Sequence, residues 1–272
     1  MSQVESRTSR TDWWRPRRVG DGRSLELQLG PLSLAVGRSG GAWLVAVSRE
    51  EARDTASRAR CRVRRRLPEQ FEARYVQAQS AEWLRFEPLL ADRPVVVRPY
   101  RPVFLLSHEE VTLYLSTPVF IRVAAGDPPT VLREIPSQPM SDTWFGPNTR
   151  SGELCFAGRT HARHRLEELP VRAHRAITPL RIRNATETAL ELEKFSLPVP
   201  VLTLFGAGNG SLWTQQITLV REEVGDLARV AIEGQPPDIG QTLERLAGPR
   251  QDPERGNLVL RTFSALFGAG GH

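Results

Sequence analysis

The side chains with the most varied chemistry crowd into one stretch, Trp144–Arg159. Gly146-Pro147-Asn148 has the composition of a tight turn, and turns present their neighbours at loop tips. Asn148, Thr149, Arg150 and Glu153 offer an amide, a hydroxyl, a guanidinium and a carboxylate. An arginine placed like Arg150 can hold a carboxylate or a phosphate through two parallel hydrogen bonds. Trp144 and Phe145 would add an aromatic wall. Trp144, Asn148, Arg150, Glu153 and Arg159 are therefore the expected binding residues. The competing reading is structural: an Asn/Arg/Glu network pins a long connection and Trp144 plugs the core.

Cys155, His161 and His164 follow at once, with His174 further on. Zinc accepts such ligands, but the spacing matches no standard finger and a second Cys-x-x-Cys arm is missing. The segment is also rich in arginine, which repels a cation. No metal and no cofactor is expected. A nucleophilic Cys155 would need a base beside it, and one of these histidines could serve. The plainer reading makes Cys155 a small buried hydrophobe on a strand. The chain has no Gly-x-Ser-x-Gly elbow. Gly206-Ala207-Gly208-Asn209-Gly210 lacks the Lys-Ser/Thr pair of a phosphate loop and reads as a hairpin turn. No catalytic residue is assigned.

Arg58, Arg60, Arg62, Arg64, Arg65 and Arg66 form a second cluster, interleaved with Ala59, Cys61 and Val63. The period of two predicts an edge strand with a basic face; charged edges deter strand-to-strand aggregation. The same face could bind an anion. Lys194 is the one lysine among 37 basic residues, and the net charge is +6 with a pI near 10.2. A basic surface attracts phosphate polymers and anionic headgroups. Nucleic-acid binding is nevertheless not favoured, since the arginines are spread along the chain and no recognition motif accompanies them.

Two cysteines make no disulfide framework and suit a reducing compartment. The polar N-terminus has no apolar run of a secretory signal, and no stretch approaches the ~20 apolar residues of a membrane span. A cytoplasmic protein is expected. The C-terminal segment, amphipathic only in part, could touch a membrane peripherally through Phe263, Leu266 and Phe267.

The elements that must position these groups read as all-β and mainly antiparallel, in two sandwich-like halves with one or two short C-terminal helices. Residues 1–23 are expected to be a flexible basic lead-in that Trp13 and Trp14 dock on the body. Residues 24–135 form the first half. Leu25, Leu27 and Leu29 alternate, as do Leu32, Leu34 and Val36, and after Arg38-Ser39-Gly40-Gly41 so do Trp43, Val45 and Val47, a hairpin signature. Short strands separated by prolines continue to residue 135. Residues 136–170 are a turn-rich connection, which a compact domain tolerates as a functional segment or hides as misread strands. Residues 171–235 form the second half: a strand over Ala176–Arg183, a turn at Asn184–Glu187, a returning strand over Ala189–Phe195, and a central strand over Val199–Phe205. Residues 236–272 are a tail with helices expected over Ile239–Leu246 and Asn257–Phe267.

Four segments also carry a resemblance. They are Glu110–Val123 (EVTLYLSTPVFIRV), Asp142–Cys155 (DTWFGPNTRSGELC), Thr178–Asn184 (TPLRIRN) and Leu197–Pro200 (LPVP). Together they resemble the prokaryotic family catalogued as domain of unknown function number 432, over roughly residues 25–235. The middle segment is the distinctive one. The resemblance implies no activity and supplies no catalytic residue. The expected function is therefore a non-enzymatic binding or accessory module that engages a protein partner or an anionic ligand through residues 142–159 and the arginine-rich faces. The alternatives are a hydrolase-like enzyme centred on Cys155 with a histidine, and weak nucleic-acid binding through Arg58–Arg66.

Overall fold

Alternating apolar and polar residues give a chain of strands, and the computed structural model shows them over residues 12–77, 81–99, 103–148, 150–221, 227–252 and 258–261. For 52, 147, 158–161, 227 and 258–261 only the backbone is described. The protein is all-β, with mainly antiparallel sheets.

The first sheet has five strands in the order Arg60–Arg64, Ser24–Leu29, Leu32–Ser39, Ala42–Arg49, Ala73–Val76. Its central hairpin turns at Gly40 and Gly41, whose φ angles of 56° and 79° suit a two-residue turn that matches strand twist. The basic stretch is an edge strand, as its period of two predicts. A four-stranded sheet joins Arg17–Arg18, Trp83–Leu89, Phe120–Ala125 and Thr130–Pro136. An eight-stranded sheet is built around Arg175–Asn184, and a second four-stranded sheet holds Ser141–Asn148, Ser151–Ala162, Val95–Pro99 and Phe195–Leu197.

The two β sets share a sheet and a core. Glu110–Pro118 pairs with Arg175–Asn184 along its whole length, from Glu110 opposite Arg183 to Pro118 opposite Arg175. One apolar cluster runs from Trp13 through Leu34, Phe86 and Leu115 to Phe195 and Leu219. A partly buried polar network ties the segment that follows Ala42–Arg49 to this joint. Asp54 accepts hydrogen bonds from Arg172 Nη1 at 2.6 Å and Gln138 Nε2 at 2.9 Å, and lies 3.2 Å from His174 Nε2. Arg175, next in the chain, donates to Gln138 Oε1 at 2.5 Å and to the Ser116 hydroxyl at 3.1 Å. The His174 ring lies over Gly30, where a Cβ would sit 2.1 Å from Nδ1.

Several expected elements differ. Residues 12–23 are no loose lead-in: Trp13 is buried and edge-on to Trp14, Val19 is buried, and Arg17–Arg18 pairs with Trp83–Leu89. Residues 1–11 lie outside the described residues. Val199–Phe205 begins as a 3-10 turn over Val199–Val201, with Pro198 and Pro200 withholding backbone donors, and becomes a strand only at Leu204–Ala207. The returning strand after Asn184 is Leu190–Leu192, and its partner is the distant Val103–Leu105. Asn184 fixes that turn: its Nδ2 donates to the carbonyls of Leu105, Leu106 and Thr188. The tail is extended where helices were expected. Leu243–Ala247 pairs with Leu204–Ala207, and Leu258–Arg261 pairs with Leu227–Ile232; the remainder of Asn257–Phe267 lies outside the described residues. No helix among the described residues is long and apolar enough to cross a membrane.

Candidate functional site

The core of the expected connection is a hairpin. Ser141–Asn148 runs antiparallel to Ser151–Ala162, with Trp144 opposite Leu154 and Phe145 opposite Glu153. Directly opposed residues share a face and neighbours alternate. Trp144 and Leu154 therefore lie on one face, and Phe145, Glu153 and Cys155 on the other.

At the tip, Asn148 Oδ1 accepts the backbone N–H groups of Arg150 and Ser151, both at 2.9 Å. Trp144 Nε1 donates to the Asn148 carbonyl at 2.8 Å, and its indole lies on Gly152, where a Cβ would come within 2.7 Å of Nε1. Trp144 is nevertheless 46% exposed, so it closes the tip without plugging the core. Arg150 is exposed. Glu153 faces away from these three, and its carboxylate accepts the Ser196 hydroxyl at 2.9 Å. Burial pushes the Glu153 carboxyl up, against that hydrogen bond. The Arg159 side chain lies outside the described residues. The structure thus brings together Trp144, Asn148 and Arg150 and sets Glu153 apart.

Cys155 is fully buried beside Phe145 and Val96, with Sγ 3.7 Å from the Ser196 hydroxyl. Burial and the nearby Glu153 charge push its thiol up to about 12. A thiol so placed stays protonated at neutral pH, whereas a nucleophile needs the thiolate. His174 is buried against Asp54, and His164 is exposed. The His161 side chain lies outside the described residues.

The other cluster has a cavity over it. The outer face of the five-stranded sheet carries a depression of about 390 Å³, lined on one side by Arg60, Arg62 and Arg64. Strand register explains its shape. Arg60, Gln28, Ser33 and Ser48 stand opposite one another on four adjacent strands, and so do Arg62, Glu26, Ala35 and Ala46. The floor is therefore made of short side chains and the wall of long ones. The third row, Arg64, Ser24, Gly37 and Leu44, is roofed. Edge strands Arg60–Arg64 and Ala73–Val76 flank opposite sides of the sheet, so the chain between them must cross its face. It crosses over Gly37: a Cβ there would stand 2.7 Å from Pro68 Cδ and 2.9 Å from Leu67 Cδ2. The Ser24 hydroxyl fixes this strap by donating to the Arg66 carbonyl at 2.8 Å, and Gln70 of the strap lines the depression.

The charge of the trough is unbalanced. Glu26 holds Arg64 at 3.0 Å and approaches Arg66 at 3.8 Å. Arg60 and Arg62 have no carboxylate partner within 4 Å among the described residues. Two guanidiniums without a carboxylate partner among the described residues thus face an open hollow floored by hydroxyls, amides and methyl groups. The arginines were visible in the sequence. Gln28, Ser33, Ala35, Ala46, Ser48 and Gln70 carry no motif; their one signal in the sequence is the run of small residues at alternate positions of two central strands.

No curated protein and no solved structure matches the chain. The resemblance first traced over four segments extends to nearly the whole chain: the family described as protein of unknown function (DUF432) matches residues 13–267, and the chain belongs to it.

Proposed function

We propose that this chain is a binding module without a catalytic centre, and that its ligand is an anion seated against Arg60 and Arg62. The observation that carries this is the pairing of those two guanidiniums, without a carboxylate partner among the described residues, with a hollow of ligand size on the sheet. Guanidinium groups bind phosphate and carboxylate oxygens through two parallel donors, and partial enclosure strengthens such contacts. The residues lining the trough include no aromatic side chain. Base stacking is the usual means of holding single-stranded nucleic acid, so a small anion fits this site better than a nucleic acid does. The protonated, enclosed thiol of Cys155 gives thiol chemistry no support.

Calorimetric titration with inorganic pyrophosphate at low ionic strength tests this. Arg60→Ala/Arg62→Ala should weaken binding by about tenfold or more, equivalent to one or two charge-assisted hydrogen bonds. Circular dichroism should not change, because both side chains are exposed. Equal affinity in the variant and the native chain would remove the proposal.

A second reading concerns a protein partner at the hairpin. Trp144 and Leu154 are 46% and 43% exposed as a cross-strand pair, beside the exposed Arg150. Tryptophan and arginine are the residue types that dominate binding hot spots. Trp144→Ala and Arg150→Ala should each reduce partner recovery in a pull-down with the fold intact, and undiminished recovery would discard this reading.

A further inference from the structure

We infer that the trough takes a phosphorylated sugar or polyol, with its phosphate on Arg60 and Arg62 and its hydroxyl-bearing body lying across the sheet towards Ser33 and Ser48. This rests on the anion binding proposed above and adds the class of ligand.

Three features of the floor support it. The first is the polar row. Arg60, Gln28, Ser33 and Ser48 are in register on four neighbouring strands. With strands ~4.8 Å apart, this row runs about 14 Å from a cation through an amide to two hydroxyls. Amide and hydroxyl side chains both donate and accept. They therefore suit a ligand whose groups do the same, and hydroxyls are such groups.

The second is the space above the next row. Ala35 and Ala46 stand side by side between Glu26 and the far edge, where any larger side chain would fill the hollow. A ring or short polyol chain can lie flat on these two methyl groups with its hydroxyls reaching the serines. The hollow's volume of about 390 Å³ suits a single small ligand.

The third is the position of the one acid. Glu26 stands in the middle row, opposite Arg62, but its carboxylate reaches Arg64 at 3.0 Å, towards the roofed end. Its carboxylate repels an anion that spreads along all three arginines, yet it can accept a sugar hydroxyl. This confines the anionic group to the Arg60–Arg62 end and leaves the rest of the ligand neutral. A polyanion carrying charge along its whole length fits this pattern less well.

The experiment compares methyl phosphate with glycerol 3-phosphate, ribose 5-phosphate and glucose 6-phosphate on the full chain by calorimetry or ligand-observed NMR. At least one of the three should bind about tenfold more tightly than methyl phosphate. Ser33→Ala/Ser48→Ala should erase that gain while methyl phosphate affinity stays the same. Ala46→Leu, which fills the floor, should also erase the gain, so a loss common to both variants cannot be charged to one misfolded chain. If all three polyol phosphates match methyl phosphate, or if the serine variant keeps the full gain, the inference fails while anion binding stands. If methyl phosphate and pyrophosphate both bind Arg60→Ala/Arg62→Ala as tightly as the native chain, anion binding at this site fails and the inference falls with it.

Discussion

His174 shows how one residue's chemistry can mislead a reading of the sequence. It is a histidine near a cysteine and two other histidines, yet its side chain has no exposed surface and its partner is Asp54. Burial, reinforced by the charge of Arg175, pulls its protonation down to about 4 against the attraction of Asp54. An unfolded histidine titrates near 6.5. The folded chain therefore binds fewer protons than the unfolded chain between these values. By linkage, this group's contribution to stability is fully present above about pH 6.5 and is lost as pH falls towards about 4. Thermal unfolding followed from pH 8 to pH 4 should show a midpoint that begins to drop below about 6.5, before most carboxylates protonate. His174→Gln should flatten that first drop. The same pH slope in the variant would mean that His174 is not its source. Gly30 belongs to the same argument, because the ring can be enclosed only where the facing residue has no Cβ.

At the scale of elements, the strap over the five-stranded sheet makes the trough. Its geometry follows from a topological need and one missing side chain: the chain must pass from one edge to the other, and Gly37 lets Leu67 and Pro68 lie on the sheet. Gly37 does not have a positive φ, so valine would suit its extended backbone, and the effect of Gly37→Val is steric alone. The strap should lift. Limited trypsin digestion should then cut after Arg65 or Arg66 faster than in the native chain, and pyrophosphate binding should weaken a few-fold as Gln70 leaves the hollow. Unchanged cleavage would show that the strap is held by something other than this contact. Much of this sheet was legible beforehand, because Gly40-Gly41 and the period-two strands are local signals. The trough was not. Its floor exists only once the register of four strands is known, and no window of sequence contains that register. The tail reads as helical for a related reason: Leu243 and Leu246 are three apart, a helical spacing, yet the segment is short and its strand state is imposed by pairing with Leu204–Ala207.

On the scale of the whole molecule, the sequence suggests two halves and the structure joins them. The joint consists of the long pairing of Glu110–Pro118 with Arg175–Asn184, a common apolar core, and the polar network around Asp54 and Arg175. These parts differ in kind. The first two bury apolar surface and saturate backbone groups over many residues, so they set cooperativity. The network involves few residues, and a buried ionic group is weak evidence for stability in itself while its disruption is costly. Burial and the neighbouring Arg172 charge lower the Arg175 guanidinium to about 10, so it remains charged at neutral pH. Arg175→Met keeps the length but leaves Gln138 Oε1 and the Ser116 groups without their donor. Each buried unsatisfied group costs ~1–3 kcal/mol, so a loss of roughly 3 kcal/mol is expected. The division of labour predicts the form of that loss in calorimetry. The native chain should unfold in one transition, and Arg175→Met should lower its temperature without splitting it, because the shared core and the long strand pair survive. Two resolved transitions in the variant would show that the network, not the core, fuses the two β sets.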